Sequence, residues 1–99
     1  MIKFTVEYDG VYVRDYEKEV NTYFLDEDRV VSFLINKRKS STNYYVRILA
    51  EEDASWEIAS FDTYAKAQEL VMSISNKMYL NKLVDVDNMK EEIANGSKV

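Results

Sequence analysis

The hydrophobic pattern changes period once along the chain, and that change limits the fold more than any other feature. Near the start, Ile2, Phe4, Val6 and Tyr8 alternate with Lys3, Thr5 and Glu7, the period of a half-buried strand. Beyond Asp62, the apolar residues Ala67, Leu70, Val71, Ile74 and Met78 fall on one stripe of a helix. Strands first and a helix afterwards define an α+β domain, expected here as an antiparallel sheet of about five strands with one long C-terminal helix on one face. At 99 residues the chain reads as a single domain over 1–99.

The local signals fill in this plan. Asp9-Gly10 is a strong hairpin signal, because both central residues of a type I′ turn need positive φ. It places Val11 opposite Tyr8 and Val13 opposite Val6, with Tyr12, Arg14 and Tyr16 on the other face. Val20 to Leu25 reads as a third strand or an irregular link. Val30 to Ile35 is apolar on both faces, as a central strand covered on both sides would be. Lys37 to Asn43 is a polar loop, Tyr44 to Ala50 a strand, Glu51 to Ser55 a turn, and Trp56 to Phe61 another strand. Asp62 and Thr63 can each cap a helix over about Thr63 to Tyr79. A short second helix fits Asp87 to Asn95, with Met89 and Ile93 on one side and Gly96 past its end.

Composition removes whole classes of chemistry. The sequence contains no Cys and no His, so thiolate nucleophiles, disulfides and histidine-based acid–base schemes are excluded within this chain. The two glycines stand far apart, at Gly10 and Gly96, which rules out a glycine-rich phosphate loop. Asp85-Val86-Asp87 opens like a calcium loop, but Met89 stands where the third ligand belongs and Lys90 replaces the required glycine. That segment reads as a turn and helix cap. A conventional enzyme is not expected, and neither a metal nor a cofactor is called for. No apolar run reaches the ~20 residues needed to span a bilayer, and the N-terminus lacks a secretory layout. The expected location is the cytoplasm.

Charge is distributed in blocks. Residues 1–28 hold eight acids and three bases, residues 29–50 five bases and no acid, and residues 51–62 five acids and no base. Two surfaces follow. The acids Asp26, Glu27, Asp28, Glu51, Glu52 and Asp53, with Tyr12 and Tyr16 as aromatic anchors, suit a basic protein partner, since complementary charge steers association and Tyr is enriched at binding hot spots. The alternative is a nucleic-acid surface, in which Lys37, Arg38, Lys39 and Arg47 grip phosphates while Tyr45 stacks on a base. Tyr8, Tyr44 and Tyr64 are expected in the core or at its edge.

Small size, acidity, tyrosine-rich hairpins and the strand-to-capped-helix phrase Trp56–Gln68 together resemble, in composition, the accessory proteins of bacteriophages and mobile elements, anti-CRISPR inhibitors among them. That resemblance implies inhibition by binding a host protein; the acidic surface suits a basic one that itself binds nucleic acid. It carries over no functional residue.

Overall fold

The computed structural model describes residues 1–8 and 19–96. Among these residues six strands and two helices follow in the order β1 (Ile2–Tyr8), β2 (Glu19–Leu25), β3 (Val30–Lys37), β4 (Tyr44–Ala50), β5 (Ser55–Phe61), α1 (Tyr64–Tyr79), β6 (Val84–Asp85) and α2 (Val86–Ala94). A 3-10 turn over Glu27–Arg29 joins β2 to β3. The strands form two three-stranded sheets, ordered β2-β1-β6 and β3-β4-β5. The single five-stranded antiparallel sheet expected from the sequence is therefore corrected, and β6 lies parallel to β1. The long helix is also not the last element, because β6 and α2 follow it. The Asp9-Gly10 turn, Val11, Val13, Tyr12 and Tyr16 lie outside the described residues. Within them, β1 pairs antiparallel with β2, Tyr8 against Glu19 and Ile2 against Leu25.

The split into two sheets has a local cause in α2. The edges of β1 and β5 approach one another, but neither bonds the other's backbone across Thr5 and Ile58. The Thr5 N–H donates instead to Asp87 Oδ1 at 3.0 Å, and Lys90 Nζ donates to the Ile58 carbonyl at 3.2 Å. Asp87 and Lys90, one turn apart on α2, thus occupy both strand edges. A β-bulge adds to this: Val46 faces Ala59 and Arg47 faces Glu57, so Ile58 is the extra residue on β5. Bulges break the ladder and increase local twist. Here one buries Ile58 and Ala59 consecutively.

The core lies between the sheets and the helices. From the strands it takes Ile2, Phe4, Val6, Leu25, Val46, Ile48 and Phe61, and from α1 Ala67, Leu70 and Ile74, with Val84, Val86 and Met89 closing it. Phe4, Tyr23 and Trp56 form a triangle with all three centroid separations at 5.5 Å, which locks β1 and β2 against β5. Thr63 caps α1 by accepting the Lys66 N–H, and Asp85 caps α2 by accepting from Asn88. At the far end of α1, Asn81 takes φ 55°. The Asn81 and Lys82 amides donate to the Met78 and Lys77 carbonyls, a Schellman closure.

Strand β3 departs from its expected place. Among the described residues it is an edge strand, with Val31 66% and Leu34 44% exposed. Phe33 and Ile35 pack on the core while the residues alternating with them face outward. Its two-sided apolar character reflects an uncovered apolar outer face rather than a central position.

Candidate partner-binding surfaces

Three chain reversals come together at one end of the molecule. Ile2 is flanked by Leu25 on one side and Val84 on the other, so Asp26 and Leu83 both emerge beside the start of β1, two strand spacings or about 10 Å apart. In the second sheet, Val30 pairs with Ala50, and the Glu51 N–H donates to the Arg29 carbonyl at 3.0 Å. The turn bearing Asp26, Glu27 and Asp28 therefore abuts the turn bearing Glu51, Glu52 and Asp53. Helix α1 starts at the opposite end and runs back for 16 residues. That is about 24 Å of helix against about 23 Å of strand in β5, which returns its C-terminus to the same end.

Two acidic clusters separated by more than twenty residues are thereby gathered, with Arg29 between them. Asp26, Asp28, Glu51, Glu52 and Asp53 are exposed, whereas Glu27 turns inward onto the Met1 amino group. The hairpin tip is unusual: Glu52 and Asp53 adopt φ 62° and 60°, and the Ala54 N–H donates to the Glu51 carbonyl at 3.4 Å. This is the type I′ pattern built without glycine or asparagine. Among the described residues no group of three carboxylates converges closely enough to hold a metal ion. The cluster presents a diffuse negative field rather than a chelating point.

Beside these acids lies an apolar surface that sequence reasoning missed. Tyr79 is 87%, Leu83 62% and Leu80 51% exposed, all in or next to the α1 C-terminal turn. The available signal was negative: these residues fall at or after the last turn of α1, and the core stripe through Met78 does not use them.

Lys37, Arg38 and Lys39 sit at the other end, Arg47 lies midway along β4, and these bases are largely engaged within the chain. The Arg38 guanidinium lies 4.4 Å from the centroid of the Tyr45 ring and donates to Glu57 at 3.2 Å. Lys37 lies over Tyr44 at 5.6 Å. Arg47 reaches Ser55 Oγ at 3.4 Å, and Lys39 is exposed. The Tyr45 face that would stack a base is covered by Arg38, and the Tyr45 hydroxyl is within bonding distance of Ser41 Oγ at 3.1 Å. Tyr44 is half-buried and meets exposed Tyr64 edge-on at 5.9 Å.

A groove of about 680 Å³ runs between β1 and β5, lined by Glu7, Arg38, Arg47, Trp56, Glu57 and Lys90 among others. Arg38 is paired with Glu57 there, and Lys90 Nζ, which donates to the Ile58 carbonyl, lies 3.9 Å from Asp87 Oδ1. Asp85 and Asp87, the acids of the calcium-like segment, serve as helix cap and strand anchor. Among the described residues no helix is long and apolar enough to cross a membrane. Comparison with protein-family models, curated proteins and solved structures finds no match to this chain.

Proposed function

We propose that this protein is a non-enzymatic binding module, an inhibitor or accessory factor, that docks its acidic end on a basic protein surface. The observation that carries the reading is the stacking of three reversals at one end, which sets five exposed carboxylates beside Tyr79, Leu80 and Leu83. The two components act differently. Exposed ion pairs contribute only ~0–1 kcal/mol each but accelerate encounter. An aromatic or aliphatic anchor buried in the interface holds the complex, and its truncation typically costs ~2 kcal/mol or more.

Partner capture with the wild-type chain, followed by kinetics on the captured partner, separates these roles. Glu51→Gln, Glu52→Gln and Asp53→Asn together slow association and flatten its salt dependence. Tyr79→Ala with Leu83→Ala speeds dissociation and leaves association nearly unchanged. The competing reading is nucleic-acid binding through Lys37, Arg38, Lys39, Tyr45 and Arg47. Tight, salt-dependent binding of a DNA or RNA pool, abolished by Lys37→Glu and Arg38→Glu, would replace the proposal. The engagement of Arg38 by Tyr45 and Glu57 weighs against that outcome.

A further inference from the structure

We infer that β3 is a self-association edge, through which two copies of this chain pair antiparallel about a two-fold axis. The inference starts from the strand edges. An exposed edge presents a row of unpaired N–H and C=O groups, and proteins normally blunt such edges with charge, proline or bulges. From Ser32 to Asn36, β3 has no charged residue and no proline. Its register shift lies at the start, between Val30 and Ser32. The β5 edge is different, because Lys90 already occupies the Ile58 carbonyl.

Charge distinguishes β3 from β2, the edge of the other sheet. In sequence, β2 begins with Glu19 and runs into Asp26, Glu27 and Asp28. Self-pairing there would set acid against acid at both ends. β3 follows those three acids and leads into Lys37, Arg38 and Lys39. An antiparallel mate reverses the strand, so each acidic turn meets the other copy's basic turn, at both ends of the interface.

The outer face sets the axis. A two-fold axis normal to the sheet and through Leu34 puts this half-exposed side chain against its own copy and pairs Ser32 with Asn36. Both α1 helices stay on the inner side of a continuous six-stranded sheet. Arg38, which comes nearest to Arg29 of the mate, is held by Glu57 and Tyr45. Such an interface is isologous, so every substitution in it acts twice.

Sedimentation of the full chain over a concentration series tests the inference. The wild type sediments as a dimer that dissociates on dilution, and Leu34→Lys, which sets two like charges on the axis, sediments as a monomer with unchanged circular dichroism. A swap experiment guards against simple misfolding. The Lys37→Glu/Lys39→Glu protein and the Asp26→Lys/Asp28→Lys protein are each monomeric alone, and mixing them restores a dimer, because each then supplies the charge the other lacks. A wild type that stays monomeric at its solubility limit overturns the inference. So does a dimer indifferent to Leu34→Lys, or a charge-swapped mixture that stays monomeric.

Discussion

Asp87 shows how much one side chain can settle. Its two carboxylate oxygens accept from the Thr5 N–H at 3.0 Å and from the Thr5 hydroxyl at 2.7 Å, tying α2 to a strand 82 positions away in sequence. Removing the acceptor leaves a part-buried N–H unsatisfied, which costs about 1–3 kcal/mol. Asp87→Ala is expected to lose that much in urea unfolding, and Thr5→Val, which keeps the N–H bond, clearly less. Residues in direct contact couple, so a double-mutant cycle should show strong coupling, and simple additivity would refute the link. Glu52 makes the opposite case. It holds φ 62°, where a side chain with a Cβ costs roughly 1–2 kcal/mol. Glu52→Gly relieves that contact but loosens the unfolded chain, whereas Glu52→Asn keeps a side chain that tolerates this region. Glu52→Asn is therefore expected to raise the denaturation midpoint, a gain on the order of 0.5–1 kcal/mol.

Helix α1 divides its residues by face. Leu70 is fully buried in the core, while Met72, two positions on, is 65% exposed. Leu70→Ala leaves a cavity the packed neighbours cannot fill and is expected to cost about 2–4 kcal/mol. Met72→Ala should stay within about 0.5 kcal/mol of wild type. Thermal melts of the pair check this directly, and equal losses would place the helix in a different rotation about its axis. The same element shows where pattern reading stops. The stripe predicts which side faces the sheet, and a second helix is legible after it near Asp87 to Asn95, but the parallel strand between the two helices is not. β6 has only two residues, too few for any period to register. β3 illustrates the complementary error. Val31 and Leu34 read as signs of burial on both faces, and they are instead the outer face of an edge.

At the scale of the whole molecule, the acids of two turns, Asp26–Asp28 and Glu51–Asp53, and the bases Lys37–Lys39 lie at opposite ends of strands β3 and β4. Strands β3 and β4 run between the acidic turns and the basic turn, with the apolar sheet face between them. This separation of charge along β3 suits a charged partner at either turn and, for the self-association inferred through β3, favours the antiparallel arrangement. Both effects weaken as ionic strength rises, since the Debye length falls from about 10 Å at 0.1 M salt to about 3 Å at 1 M. The anchoring role assigned to Tyr79 and Leu83 should be far less salt-sensitive, because burial of apolar surface does not depend on screening. Dissociation rates measured across salt therefore discriminate the two contributions on one partner.

Local chemistry made several parts of this protein legible without coordinates. The alternation of Ile2, Phe4 and Val6, the stripe of Ala67, Leu70 and Ile74, and the caps at Thr63 and Asp85 all act within a few residues, where periodicity and side-chain reach operate. The exclusion of His and Cys chemistry needed only the composition. Long-range arrangement lay beyond it. The division into two sheets depends on Asp87 and Lys90 meeting strands 82 and 32 positions away, and no local pattern encodes such a meeting. The gathering of Asp26–Asp28 with Glu51–Asp53, and of both with Tyr79 and Leu83, follows from which strand ends lie side by side. That was decided by tertiary pairing, because backbone hydrogen bonds are the same for every sequence and only the packed core selects the register.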